Sequence, residues 1–125
     1  MTLVFDAGAF LAFERGDKTV RALLDLDRAA GRSPRTHGGV VGQVWRGGAR
    51  QALLARLLAG TEIVPLDATL GREAGVLLAA AGTSDAIDAA VALLARDGDT
   101  IVTSDRGDLE ALVWQAGRHV ELVVV

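Results

Sequence analysis

A chain of 125 residues, half of them hydrophobic and with a mean hydropathy of +0.33, is long enough for one domain with a real core and too short for two. It has no cysteine and two histidines, His37 and His119, which excludes a disulfide framework, thiolate chemistry and a histidine–cysteine zinc site. A formal charge of −3 argues against a surface coated in basic residues for nucleic acid, and charges interrupt the apolar runs before any reaches membrane-spanning length, so the expected setting is cytoplasmic, away from membranes.

The first apolar run, Thr2 to Phe5, ends at Asp6, and Ala7 to Phe13 then takes on helical character up to a break at Gly16. The local order is strand, aspartate, helix. An acid at the carboxyl end of a first parallel strand lies where open α/β sheets bind ligands, although aspartate is equally a preferred N-cap. From Lys18 a second helix turns Val20, Leu23, Leu24 and Leu26 inward and ends near Gly31. Arg32 to Thr36 leads as extended chain to His37, Gly38 and Gly39. The run GGVVG is neither a dinucleotide fingerprint nor a phosphate loop, so its glycines are read as allowing close helix packing, and His37 as an ordinary surface or loop histidine.

Val40 to Arg46 reads as a short helix with Val41, Val44 and Trp45 packed inward, Trp45 as a core anchor, and Gln51 to Leu58 as a further amphipathic helix. Arg46, Arg50 and Arg56 gather basic charge in one region; solvated helix faces account for it, and Arg46 and Arg50 are candidates for a phosphate-contacting rim. Gly60 to Leu66 is expected as a third strand. Asp67 then caps a helix to Ala80 that buries Leu70, Ala74, Leu77 and Leu78 and is ended by Gly82.

The stretch from Thr83 to Leu109 organises the rest. It reads as a helix opening on Asp85 and Asp88, an Asp97-Gly98-Asp99 turn, a buried strand Thr100 to Thr103, and a last helix opening on Asp105 and Asp108. Gly117 stops that helix and Val120 to Val125 forms a terminal strand. Each aspartate taken alone suits a helix start, where its charge meets the macrodipole. Together, four carboxylates sit beside the nearly wholly apolar run Ala86 to Ala95. At the edge of such a core they repel one another and are partly desolvated unless a cation is present, and a divalent metal is the economical solution. Strands alternate with helices throughout, which predicts a single α/β domain built on a parallel β-sheet with helices on both faces.

Three pieces, Leu3-Val4-Phe5-Asp6, Ser84-Asp85-Ala86-Ile87-Asp88-Ala89-Ala90 and Val102-Thr103-Ser104-Asp105, follow in an order and spacing that resemble the PIN-domain ribonucleases, in particular the VapC-type toxins of toxin–antitoxin modules. The resemblance runs over essentially the whole chain and implies a PIN-like domain over residues 1–125 that acts as a metal-dependent endoribonuclease. It implies Asp6, Asp85 and Asp105 as the catalytic acids, holding Mg²⁺ or Mn²⁺ directly or through water. Asp88 and Asp108 would be auxiliary acids on the metal, and the Thr103 or Ser104 hydroxyl would hold a water or phosphate. Hard divalent cations prefer oxygen ligands, and a cation offsets the charge that develops on an attacked phosphodiester. The implied partners are an RNA substrate, with Arg46 and Arg50 as contacts, and a small antitoxin protein that covers the site. The implied assembly is a homodimer or a toxin–antitoxin hetero-oligomer.

One position departs from the family's pattern. Its second acid is usually a glutamate on the helix after the second strand, and here Gln43 stands in that place. An amide oxygen can coordinate a cation but supplies neither negative charge nor a base at neutral pH. Two readings therefore remain open: an active nuclease, or a catalytically impaired PIN-like binding module that keeps its antitoxin or RNA partner. Two other folds with acidic Mg²⁺ pockets fit worse. A receiver domain needs a late lysine and the only lysine is Lys18, while a haloacid-dehalogenase-like phosphatase wants Asp-x-Asp where this chain has Asp6-Ala7-Gly8.

Overall fold

The computed structural model describes all 125 residues. Strands and helices follow in the order β1 (Leu3–Phe5), α1 (Ala7–Glu14), α2 (Lys18–Ala29), β2 (Arg35–His37), α3 (Gly38–Val44), a single 3-10 turn (Ala49–Gln51), α4 (Ala52–Ala59), β3 (Glu62–Val64), α5 (Ala68–Ala81), α6 (Ala86–Leu94), β4 (Thr100–Thr103), α7 (Arg106–Gln115) and β5 (Glu121–Val124). The strands form one sheet in the order β3-β2-β1-β4-β5 with every pairing parallel, as the alternation of elements predicts. In the centre, Val4 lies opposite Arg35 on one side and Ile101 on the other. β1 and β4 are buried along their whole length, whereas the edge strands β3 and β5 expose part of theirs.

This order puts the topological switch between β1 and β4. The chain leaves β1 towards β2 and β3 on one side and returns to β4 on the other, so a crevice opens where the carboxyl ends of β1 and β4 part. Helix α6 is buried along Ala89, Ala90, Val91, Ala92 and Leu94, and its small side chains let it lie deep in the core. Its first turn, with Asp85 and Asp88, is thereby held rigidly at that crevice.

Several expectations are corrected. α3 begins at Gly38, two residues before Val40, so its inward stripe is Val40 and Val44 at a spacing of four; Trp45 follows the last turn and is 39% exposed, not a core anchor. In α2 the buried stripe is Val20, Leu24 and Asp27, with Asp27 paired to Arg32 at 3.3 Å, and this turns Leu26 outward at 67% exposure. His37 is not a surface histidine: it is fully buried at the end of β2. Gly39 does serve close packing, since a Cβ there would stand 2.6 Å from Ile87 Cδ1.

At the amino ends of the strands Asp99 is buried and fully provided for. Its carboxylate accepts the amides of Thr2 and Arg96, each at 2.9 Å, and faces the buried Arg35 guanidinium at 3.5 Å. Arg35 also reaches Glu62 at 2.9 Å and the Leu94 carbonyl at 3.2 Å, tying β2, β3, α6 and the β4 entry together.

Candidate metal centre

Asp6 leaves the carboxyl end of β1 and caps α1, where Oδ1 accepts the Ala9 amide at 2.9 Å. Its Oδ2 accepts the hydroxyl proton of Thr103, the last residue of β4, and that hydroxyl oxygen in turn accepts the Asp105 amide at 2.9 Å. The crevice is thus stitched by a continuous run Asp6–Thr103–Asp105. Thr103 is completely buried and its hydroxyl is committed on both its donor and acceptor sides, whereas Ser104 beside it is exposed. Burial pushes the Asp6 carboxyl above its ordinary value and the nearby Asp105 adds to the rise, against the opposing pull of the bonds from Thr103, Ala9 and Ser104.

Asp85 caps α6 through one oxygen that accepts both the Ile87 amide at 3.0 Å and the Asp88 amide at 3.1 Å. Asp105 caps α7 through the Asp108 amide at 3.4 Å. Asp88 and Asp108 stand in the first turns of these two helices, and each of Asp88, Asp105 and Asp108 offers a carboxylate oxygen within 4.8 Å of the others. Asp88 is the centre of the group. Burial first, then Asp85, Asp6, Asp105 and Asp108 in that order, push its pKa up to about 7.

No ion pair reaches any of these five acids: the pairs in the molecule are Arg32–Asp27, Arg35–Glu62, Arg35–Asp99 and Arg106–Glu110. Three helix starts supply partial positive charge, but the capping bonds already use their leading amides. An all-oxygen donor set with uncompensated negative charge fits a hard divalent cation such as Mg²⁺ or Mn²⁺. Three acids are therefore within reach of one ion. Asp6 joins them through Thr103, and Asp85 through the amide of Asp88.

The remaining sequence candidates are exposed. Gln43 is exposed on the last turn of α3. The Arg46 guanidinium donates to the Gly42 and Trp45 carbonyls at 3.1 and 2.8 Å and so closes the end of α3, while Arg50 is exposed on the 3-10 turn without an ion pair.

Two residues at the site escape a reading of the sequence. A Cβ on Gly8 would fall 1.9 Å from Ser104 Oγ, 2.5 Å from its Cβ and 3.0 Å from its backbone nitrogen, so only glycine lets the first turn of α1 lie against the β4–α7 junction. Its signal is the glycine two residues after the strand-end acid. His37 caps α3 with its ring, accepting the Gly39 amide on Nδ1 at 3.0 Å, and its Nε2 lies 2.9 Å from the Ile87 carbonyl of α6. Burial lowers its pKa, so the ring stands neutral, against the smaller raising effect of the Ile87 carbonyl. Its position just before two glycines at a helix start is a capping signal for serine or aspartate, not for an imidazole.

No protein-family model and no curated protein matches the sequence. Among solved structures, the chain is similar to one in the crystal structure of VapBC2 from Rickettsia felis bound to a DNA fragment from their promoter, with a TM-score of 0.68 at 16% identity over 98% of this chain and 99% of that one. The likeness over both whole chains establishes the fold, a PIN-like α/β arrangement, and leaves the chemistry to the residues.

Proposed function

We propose that this chain is a divalent-metal-dependent endoribonuclease, the toxin of a toxin–antitoxin module. The observation that carries the proposal is the gathering of five aspartates without a basic partner at the switch-point crevice of a PIN-like fold. Asp88, Asp105 and Asp108 hold the ion, Asp6 and Asp85 contribute charge directly or through water, and the exposed Ser104 hydroxyl faces the phosphate. When bound there, Mg²⁺ or Mn²⁺ supplies positive charge to the scissile phosphodiester and makes a water molecule a competent nucleophile. Thr103 holds Asp6 and the Asp105 amide in fixed relation, which limits how far the carboxyl end of β1 and the start of α7 can part. The similar Rickettsia structure is of a VapBC pair, which supports a small antitoxin partner covering the crevice; the RNA substrate and a homodimer belong to the same proposal.

Purified chain free of antitoxin is expected to cut a mixed RNA substrate with Mg²⁺ or Mn²⁺ and not with chelator, and Asp85→Asn is expected to abolish cutting. A folded sample that cuts with neither metal sinks the nuclease reading. The specific feature favouring a second reading, a binding module that keeps its partner without cleavage, is the neutral Gln43 on α3. Gln43→Glu separates the two: activity that appears only in this variant assigns the native chain to the binding module.

A further inference from the structure

The peptide group that joins Ile87 to Asp88 is held at both ends. Its carbonyl oxygen lies 2.9 Å from His37 Nε2, and its N–H, the amide of Asp88, donates to Asp85 at 3.1 Å. Which proton the imidazole carries follows from its other bond. Nδ1 accepts the Gly39 amide, so it bears no hydrogen, and a neutral ring must then carry its hydrogen on Nε2 and donate it to Ile87. The contact is packed as well as bonded: a Cβ on Gly39 would stand 2.6 Å from Ile87 Cδ1 and 2.9 Å from His37 Cε1. The fully buried ring is therefore the one side chain that fixes the start of α3 to the start of α6 through hydrogen bonds on both sides.

We infer that His37 is a positioning residue for the metal centre, setting where the Asp88 carboxylate stands by clamping the peptide that carries it. The inference rests on the proposed metal site. A carboxylate in the first turn of a helix moves with its own peptide plane, and the Asp88 carboxylate stands within 4.8 Å of those of Asp105 and Asp108, so a small rotation there changes its distance to both. Partners that orient metal ligands are worth about 10- to 100-fold in affinity. The clamp also couples α3, which carries Gln43, to α6, which carries Asp88, so the helix that lacks the anionic ligand is tied to the one that supplies it.

His37→Asn separates capping from clamping. The asparagine oxygen can still accept the Gly39 amide, as a good N-cap does, while its shorter amide cannot reach Ile87. Hydrogen exchange in metal-free protein is expected to speed up at the Asp88 amide and stay slow at Gly39. Mn²⁺ affinity, read by titration calorimetry, is expected to fall about tenfold or more. Leu54→Ala, on the buried face of α4, a helix that carries none of the five acids, is expected to lower the melting temperature further and leave Mn²⁺ affinity unchanged. Unchanged exchange at Asp88 in His37→Asn, or Mn²⁺ affinity that merely follows melting temperature across both variants, overturns the clamp. If the wild type itself binds no Mn²⁺ the metal-centre reading falls, and exchange at Asp88 still decides the clamp.

Discussion

At the amino ends of the strands Asp99 is buried beside Arg35 and accepts two backbone amides; at the carboxyl ends Asp6 is buried beside Asp105 and Asp88, and no cation of the chain stands near them. The two ends share a residue type, a degree of burial and a dependence on backbone donors. They differ in their charged neighbours, an arginine at one end and further carboxylates at the other. A carboxylate that serves the fold receives its positive charge from the chain, permanently and with a fixed geometry. Under the proposed function, the carboxylates at the other end leave that charge to be brought from solution, and the fold carries the repulsion until it arrives.

The largest expected effect falls on the compensated end. Arg35→Met strands Asp99 without its cation and is expected to cost about 3–5 kcal/mol in urea unfolding, with Mn²⁺ affinity unchanged in the folded fraction. A cost near that of a surface ion pair would mean that the two ends are not as different as their geometry says. Gly8→Ala acts at the other end by sterics alone. Its methyl would force the Ser104 backbone aside, at about 1–3 kcal/mol by thermal unfolding, together with weaker Mn²⁺ binding.

Asp88→Asn has the opposite sign. Relief of repulsion is expected to stabilise the metal-free chain by about 1 kcal/mol, a figure kept small because Asp88 is only partly buried, while metal binding is lost. Destabilisation of the metal-free protein by this variant would show that Asp88 is a structural acid like Asp99.

The subtlest test is pH. Asp88 has a pKa of about 7 in the fold against an ordinary value of 3.8, so the folded chain holds a proton that the unfolded chain has released between those values. Metal-free stability should therefore fall as pH rises from about 4 to 7, relative to Asp88→Asn measured alongside, and saturating Mg²⁺ should remove the slope. A slope of the other sign would place a cation near Asp88 that the structure does not contain.

The acids were legible because each lies at the mouth of a helix, Asp6 and Asp105 just after a buried strand and Asp85 between α5 and the apolar α6. The parallel sheet was legible for the same reason, from alternation alone. Burial of His37 was not, because it depends on α6 passing over the end of β2, and nothing within the local sequence around His37 announces a neighbour that far along the chain. The Arg35–Asp99 lock is hidden likewise, since both residues read locally as loop or strand-entry charges. Trp45 and Leu26 were placed inward on apolar character, and each was displaced by a shift of one or two positions in helix phase. Local patterning finds where acids are presented. It does not find what holds them still.

The bond from Thr103 to Asp6 closes a span of 97 residues, and β1 has no partner on that side until β4 has been made. Such long-range pairing forms late and slowly in folding. During synthesis the first strand and its aspartate emerge long before β4, Asp105 and Asp108, so a chain still attached to the ribosome holds one acid of the cluster apart from the rest. The order of translation thus keeps the acidic cluster unassembled until the segment through Asp108 has been made.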